Sequence, residues 1–230
     1  MRFDPKDFFD LTGFEHRAIF RDCENVWEVL PRIGPYIRAN FKSRMEGKVA
    51  DGAFIEGAVQ IGRGTVVEAG AFIRGPAIIG RDCEIRPGAY IRGDALVGNR
   101  CVLGNSSEFK NTLMFDGAAA PHYNYCGDSV LGRKVNLGAG TKLSNYKIAA
   151  DKTVRLVVDG KVIDTGLMKF GAILGDGATT GCNSVLNPGT MVGRNSLIYA
   201  CAAIRGYVPH DTIVKLRQQI EFADLTPRRD

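Results

Sequence analysis

His122 is the residue whose type and position in the sequence best suit acid–base chemistry. Its imidazole can accept or donate a proton near neutral pH, so it could act as a general base. The other two histidines, His16 and His210, fall outside the repeated region described below. A single histidine in a loop is more often an ordinary surface residue, and that interpretation stays open at this point.

Two cations precede His122 and could bind an anionic group. Arg92 and Lys110 are eighteen residues apart, and their side chains could neutralise a phosphate. The turn Gly138-Ala139-Gly140 follows the histidine and offers backbone N–H groups that could stabilise an oxyanion. Each feature also has a simpler explanation, since the two cations could be solvated surface residues and the asparagines nearby could form turns.

The cysteines give no sign of a metal site or a disulfide framework. Six are present, widely spaced and without a C-x-x-C pair: Cys23, Cys83, Cys101, Cys126, Cys182 and Cys201. Zinc sites and small disulfide-bonded domains use short, regular cysteine spacings. We therefore expect small buried thiols and no bound metal.

Bulky apolar residues recur at every sixth position and predict the fold. The uninterrupted series is Val49, Ile55, Ile61, Val67, Ile73, Ile79, Ile85, Ile91, Val97, Leu103 and Phe109. From Ile55 onward, a small or narrow residue stands two positions earlier, on the same face of a strand. Short strands at this spacing predict an all-β parallel β-helix with three hexads per coil. The spacing returns at 125–148 and 174–209, which gives roughly seven coils stacked at about 4.8 Å.

Two interruptions break the repeat. Four extra residues stand near 118–124, around His122, and a longer break covers 148–173. Within the longer break, Asp159-Gly160 predicts a hairpin over 153–165 with a type I′ turn. We expect His122 to lie in a loop that protrudes from a rigid solenoid, where functional residues are commonly placed.

The two ends of the chain do not follow the hexad spacing. Residues 1–44 contain a helix start at Asp4-Pro5 and apolar residues at helical spacing, interrupted by prolines. Residues 210–230 begin near Asp211, which could cap a second helical segment. We predict a helical N-terminal cap over 1–44, a β-helix over 45–209, and a C-terminal helix and tail over 210–230. Both ends are expected to cover the open coils of the solenoid.

Composition excludes several classes of protein. The chain has 230 residues, 45% of them hydrophobic, which is too apolar for a disordered segment and enough for one sizeable domain. The 30 basic and 25 acidic residues give a net charge of +5 without any basic run, so we expect a phosphorylated small molecule rather than nucleic acid as the partner. No stretch is apolar enough for a membrane span or a signal peptide, and we expect a cytoplasmic protein without a membrane partner.

The segment from Glu108 to Tyr146 resembles a known family. It contains a lysine twelve residues before the histidine, then H-x-x-Y-x-G-D, V-N-x-G-A-G-T and N-Y, without gaps. This pattern closely resembles the acetyltransferase domain of the bifunctional N-acetylglucosamine-1-phosphate uridylyltransferase/glucosamine-1-phosphate N-acetyltransferase, a hexapeptide-repeat acyltransferase. The stretch at 148–173 is more similar to sugar-1-phosphate nucleotidylyltransferases with an acetyltransferase tail. The resemblance covers roughly residues 49–217 and implies a left-handed β-helix, although parallel crossovers are usually right-handed.

The resemblance implies a role for each matching residue. His122 would be the general base, and Arg92 and Lys110 would contact the sugar phosphate. The remaining substrate contacts would be Tyr125, Asn136, Asn145, Tyr146 and, one position off the family's register, Lys152. The acetyl-CoA contacts would be Ala139, Cys182, Ala200 and Arg217, with the backbone N–H of Ala139 facing the thioester carbonyl.

Together these residues predict an acetyl-CoA-dependent N-acetyltransferase that acts on an amino-sugar phosphate such as glucosamine-1-phosphate. Residues 1–44 are too short for the family's nucleotidyltransferase domain, so we expect no nucleotide-sugar synthesis by this chain. We expect a homotrimer with active sites between subunits, as in the family. Two alternatives stay open: acyl transfer to a nucleotide-linked amino sugar, and a non-catalytic scaffold or regulatory partner of a separate nucleotidyltransferase.

Overall fold

The computed structural model describes residues 3–148 and 153–225, and these residues build a three-sided parallel β-helix. Each strand pairs in parallel with the equivalent strand one coil further along the chain, and the chain crosses three faces in turn before it returns to the first. The predicted all-β, left-handed parallel β-helix is confirmed.

The three faces are defined by their strands. Face 1 consists of Lys48–Val49, Val66–Val67, Glu84–Ile85, Val102–Asn105, Ala119–His122, Asn136–Leu137, Thr179–Thr180, Leu197–Ile198 and Ile213–Val214. Face 2 consists of Phe54–Glu56, Phe72–Arg74, Tyr90–Arg92, the beginnings of Glu108–Met114 and Tyr125–Leu131, then Lys142–Leu143, Val185–Leu186 and Ala203–Ile204. Face 3 consists of Val59–Ile61, Ala77–Ile79, Ala95–Val97, the ends of the two long strands, then Ala172–Leu174, Thr190–Val192 and Tyr207–Val208. The turns from face 1 to face 2 are called the first edge, and those from face 3 back to face 1 the third edge.

The interior is built by the hexad positions. From Ile61 to Phe109, every sixth residue is at most 1% exposed, and the small residues two positions earlier are buried as well. Burying one such aliphatic side chain completely is worth about 1.5–3 kcal/mol. The repeat therefore supplies both the spacing of the strands and the main stabilising contribution of the core.

The interruption predicted at 118–124 is wrong, because the coil there is one residue shorter rather than four residues longer. Met114 pairs with Val97, seventeen residues earlier, and takes the inward position. Ala120 follows six residues later and is fully buried, so the hexad spacing continues and no loop protrudes. Phe115, next to Met114, is also apolar, and taking Phe115 as the inward residue gives the wrong hexad register.

The predicted C-terminal helix is also wrong. Ile213–Val214 forms a further strand on face 1, and residues 215–225 form no helix. Asp211 has a φ of 53°, and its N–H donates to the carbonyl of Arg194, so it turns the chain into another coil instead of capping a helix. The solenoid extends past residue 209 and has about nine turns rather than seven.

The N-terminal segment packs against the side of the solenoid rather than over its open end, contrary to the prediction. It forms the α-helices Pro5–Phe8 and Ile33–Asn40 and the 3₁₀ helices Arg17–Phe20 and Val26–Arg32. Asp4 caps the first helix, as expected, and accepts a 2.9 Å hydrogen bond from the N–H of Lys6. Among the described residues, no helix combines the length and the apolar character needed to cross a membrane.

Face 3 requires this cover because its outward side chains are apolar. A buried column runs along its outer surface: Ile78, Leu96, Leu113, Val130, Ile173 and Met191. The rings of Phe9 and Phe14 stack on Phe115, with centroids 4.7 and 4.0 Å away. The N-terminal segment therefore completes a second hydrophobic core outside the β-helix.

The hairpin predicted in the longer interruption is present. Strands Arg155–Val158 and Lys161–Asp164 pair in antiparallel fashion. Asp159 and Gly160 have φ values of 50° and 74°, as a type I′ turn requires. Leu156 joins the hydrophobic cluster on face 3. With face 3 covered, most of the predicted site residues that the structure describes lie on the outer surfaces of faces 1 and 2 or on the edge between them.

Candidate functional site

The first edge aligns four of the predicted site residues in one column: His122, Ala139, Cys182 and Ala200. The carbonyl of His122 accepts a 2.9 Å hydrogen bond from Gly140 on the next coil, and the carbonyl of Ala139 accepts one of 2.8 Å from Asn183. The column continues through Cys182 to Ala200, at steps of about 4.8 Å per coil. The predicted base and three predicted acetyl-CoA contacts therefore share one edge.

His122 is exposed at a regular turn of this edge, not in a protruding loop. Its N–H donates to Oδ1 of Asn124 at 3.1 Å, and Nδ2 of Asn124 donates to the carbonyl of Gly138 at 2.8 Å. Asn124 is 2% exposed, so a buried amide ties the backbone at His122 to the turn of the next coil at Gly138. The imidazole itself makes no hydrogen bond to any described residue, so its ring nitrogens are available to a ligand.

Ala139 offers an unoccupied backbone donor. Its neighbours Gly138 and Gly140 donate to Thr180 and His122, but the N–H of Ala139 has no acceptor among residues 3–148 and 153–225. An unpaired N–H whose neighbours on either side are fixed by hydrogen bonds is suited to hold a carbonyl oxygen that gains negative charge.

A polar network on face 2 is centred on Asp128, which sequence reasoning did not assign. Its two carboxylate oxygens lie 2.9 and 3.1 Å from Nζ of Lys110. Nδ2 of Asn111 donates to one oxygen at 2.9 Å, and Nδ2 of Asn145 donates to the other at 2.5 Å. Asp128 is 4% exposed, so its charge is compensated by one cation and two amides from neighbouring coils.

Tyr125 extends this network toward solvent. Its hydroxyl donates to Oδ1 of Asn145 at 3.3 Å. Burial raises the pKa of the Tyr125 phenol, with a further contribution from the carboxylate of Glu108, so the hydroxyl stays protonated. A Cβ at Gly127 would lie 2.6 Å from this hydroxyl and 2.7 Å from Nδ2 of Asn145. Glycine at that position keeps the space between the two polar groups open.

Arg92 also lies on face 2 and is paired with Glu108, another residue that sequence reasoning missed. Nη1 of Arg92 lies 2.6 Å from Oε1 of Glu108, and both side chains are partly exposed. The hydrogen bond to Glu108 raises the pKa of Arg92, which stays charged. Exposed pairs of this kind contribute little to stability, so a phosphate could compete with Glu108 for the guanidinium.

Several predicted residues do not join this arrangement within one chain. Asn136 lies exposed on face 1, beyond the first edge, and Tyr146 is 52% exposed after the last residues of the network. Arg217 lies in the exposed segment after the final strand, and Lys152 lies outside the described residues.

The expectation of uniformly buried thiols is wrong for two cysteines. Cys182 and Cys201 are exposed near the first edge, because they occupy turn positions rather than inward hexad positions. The other four are buried. Across the described ranges, no group of three histidine, cysteine or carboxylate side chains is arranged to hold a metal ion.

Comparison with known proteins identifies the class of repeat and the relatives. The bacterial transferase hexapeptide family (six repeats) matches residues 76–111, which lie within the region of regular hexad spacing. The bifunctional protein GlmU of Methanococcus aeolicus is 35% identical over 211 residues, which are 92% of this chain and 51% of that protein. GlmU of a Methanococcus maripaludis strain is 42% identical over 91% of this chain and 50% of its own length.

A shorter match involves a bifunctional sugar-1-phosphate nucleotidylyltransferase/acetyltransferase of Sulfurisphaera tokodaii. It is 36% identical over 114 residues, which are 50% of this chain and 28% of that protein. The resemblance to hexapeptide-repeat acyltransferases noted in the sequence is thereby confirmed. The chain spans about half the length of the GlmU relatives it matches.

Proposed function

We propose that this protein is an acetyl-CoA-dependent N-acetyltransferase that acts on an amino-sugar phosphate such as glucosamine-1-phosphate. The observation that carries the proposal is the alignment of His122 with Ala139, Cys182 and Ala200 along the first edge. A ligand bound along this edge would contact, one after another, a base, an unpaired backbone N–H donor and small side chains. The Sulfurisphaera tokodaii relative is a bifunctional protein named in part as an acetyltransferase, which supports this reaction class.

In the proposed reaction, the amine nitrogen of the acceptor attacks the thioester carbonyl carbon of acetyl-CoA. A C–N bond forms, negative charge develops on the carbonyl oxygen, and the N–H of Ala139 donates to that oxygen. His122 takes the proton that the amine loses. Collapse of the intermediate breaks the C–S bond, and the proton passes to the sulfur of the departing CoA.

The acceptor would bind on face 2, beside the first edge. Lys110 and Arg92 supply positive charge for the phosphate, while Tyr125 and Asn145 supply a hydroxyl and an amide for the sugar. Asp128 acts here as a positioning residue, since its carboxylate holds Nζ of Lys110 and Nδ2 of Asn145 in place. Tyr125 is the third residue after His122, so base and acceptor pocket adjoin.

The remaining assigned residues fit a site completed by a second copy of the chain. Asn136 is on face 1, whereas Lys110 and Tyr125 are on face 2, so one solenoid does not bring them together. We propose a homotrimer in which a neighbouring subunit contributes face 1, Asn136 and the segment with Arg217. Light scattering should give three times the 25.0 kDa chain mass; an active monomer would contradict this assembly.

The experiment that tests the function measures release of free CoA thiol from acetyl-CoA with a panel of acceptors. The panel contains glucosamine-1-phosphate, glucosamine, and a nucleotide-linked amino sugar. Fastest release with glucosamine-1-phosphate supports the proposal, and fastest release with the nucleotide-linked sugar supports the alternative acceptor class. No release with any amine would favour a non-catalytic partner of a separate nucleotidyltransferase.

A further inference from the structure

A polar cavity of about 250 Å³ lies on the third edge, between the N-terminal segment and the first coils of the solenoid. Arg44, Arg63 and Arg81 line it from the solenoid, and Glu15 and His16 line it from the N-terminal segment. A neighbouring cavity of about 240 Å³ shares two of these arginines, so the two cavities form one groove. The groove lies on a different edge of the prism from His122 and plays no part in the reaction proposed above.

The backbone at this groove lacks an acceptor that the same edge supplies elsewhere. The N–H of Arg81 donates to Oδ1 of Asn99, and the N–H of Asn99 donates to Oδ1 of Asp116, each at 2.8 Å. In both cases the oxygen belongs to the equivalent residue one coil further along. For Arg63 that equivalent residue is Arg81, which has no acceptor atom, and the N–H of Arg63 has no partner among the described residues.

Asn99 contributes a second unpaired donor. It is 8% exposed and lines the cavity, and its Oδ1 is already used by the N–H of Arg81. Its Nδ2 donates to no described residue and is not among the fully enclosed polar atoms, so it faces the cavity. The guanidinium groups of Arg63 and Arg81 likewise form no ion pair within the described ranges.

We propose that this groove binds the phosphate group of a small phosphate ester. The N–H of Arg63, the amide of Asn99 and two guanidinium groups are donors at the residues that line this groove, and the oxygens of a phosphate would accept from them. A phosphate oxygen beside the N–H of Arg63 would also take the place of the side-chain oxygen that the N–H groups of Arg81 and Asn99 each find on the next coil.

The carboxylates around the groove define the rest of the ligand. Glu15 and Glu46 line the same cavity, and Asp82 lines its neighbour. These groups would accept hydrogen bonds from hydroxyl or amino groups of an ester and would repel further phosphates. A small phosphorylated molecule with hydroxyl or amino groups therefore fits better than a polyanion such as nucleic acid.

The test is calorimetric titration with glycerol 3-phosphate at constant ionic strength. Replacing both arginines, Arg63→Gln with Arg81→Gln, should weaken binding at least about tenfold, since two charge-assisted contacts are lost. Arg205→Gln with Lys215→Gln removes two positive charges from exposed sites elsewhere in the chain and should leave the affinity unchanged. Both replaced arginines are exposed, so the melting temperature should stay near that of the parent protein.

A further variant separates this groove from the acceptor site on face 2. Lys110→Met combined with Asp128→Asn removes both charges of the buried pair, and this variant should retain calorimetric binding of glycerol 3-phosphate with the parent affinity. Loss of binding in that variant, equal affinity in the double arginine variant, or no binding to the parent protein would each overturn the proposal. The readout is binding alone, so it is independent of whether the acetyltransferase activity is found.

Discussion

Lys110 and Asp128 form an ion pair across two adjacent coils, in which Nζ lies 2.9 and 3.1 Å from the two carboxylate oxygens. The Asp128 side chain is 5% exposed, whereas the lysine side chain is 26% exposed. Asp128 therefore needs Lys110 to neutralise a buried charge, and Lys110 needs Asp128 to hold its ammonium group at the surface of face 2. The pair couples the stability of the solenoid to the proposed binding of a phosphorylated acceptor.

Lys110→Met should destabilise the protein by about 3–5 kcal/mol, because it leaves the Asp128 carboxylate buried without its cation. The double variant Lys110→Met with Asp128→Asn removes both charges and should recover most of that loss. Chemical denaturation of the single and double variants measures this difference. Equal stability of the two would contradict the charge-compensation role of Lys110.

The same two variants separate stability from acceptor binding. Both lack the ammonium group, so both should raise KM for glucosamine-1-phosphate more than KM for glucosamine. Recovery of the parent KM in the double variant would show that Lys110 acts only on stability.

His122→Ala should lower turnover by about 10²- to 10⁴-fold, the usual contribution of a general base. KM for acetyl-CoA should stay nearly constant, because its proposed contacts lie on the other residues of the first edge.

His210→Ala is the matched control for this variant. His210 is exposed, pairs with Asp211 at 2.7 Å and lies on the third edge, away from His122. Its removal should leave turnover unchanged. Near-normal turnover in His122→Ala would exclude the general-base mechanism and favour the scaffold alternative.

Ile91→Asp should destabilise the solenoid by several kcal/mol, because it buries a carboxylate among the fully enclosed inward residues. Arg100→Asp should cost little. Arg100 is exposed at a turn with a φ of 55°, and the equivalent residue of the previous coil, Asp82, is already an aspartate with the same φ. Thermal melts of the two variants compare these positions, and equal losses would mean that the inward register is wrong.

The sequence predicts the repeat because each hexad places one large residue inward. It does not predict the shortened coil. Met114 and Phe115 are adjacent and both bulky, so spacing alone does not decide which one faces the interior. Pairing of Met114 with Val97 decides it, and that contact depends on the three-dimensional register of the coils. The docking of the N-terminal segment was missed for a related reason, since outward apolar residues such as Ile78 and Leu96 are recognised only after the inward ones are assigned.

The residues around Asp128 show the corresponding limit for the site. The family resemblance assigned Lys110 and Asn145, and the need of a phosphate for a cation supported Lys110. Asp128 was given no role, although it ends the motif H-x-x-Y-x-G-D. Its function as the common partner of Lys110, Asn111 and Asn145 follows from stacking of three coils.

Thiol labelling provides a direct test of the first edge as the acetyl-CoA site. Only Cys182 and Cys201 are exposed, so a maleimide should label two thiols in the native protein and six after denaturation. Among the buried cysteines, burial raises the pKa of the Cys126 thiol, which disfavours the reactive thiolate. Labelling of four or more thiols in the native protein would contradict this burial pattern.

Saturating acetyl-CoA should slow the labelling of Cys182, which stands in the column with His122 and Ala139. Measuring Cys182 in a Cys201→Ser variant, and Cys201 in a Cys182→Ser variant, resolves the two rates. Cys201 is one position past the column, as its N–H bonds to the carbonyl of Cys182, and its protection should be weaker. Glucosamine-1-phosphate alone should protect neither thiol, because its proposed contacts lie on face 2. Cys182 reacting equally fast with and without acetyl-CoA would exclude the first edge as the site of the thioester.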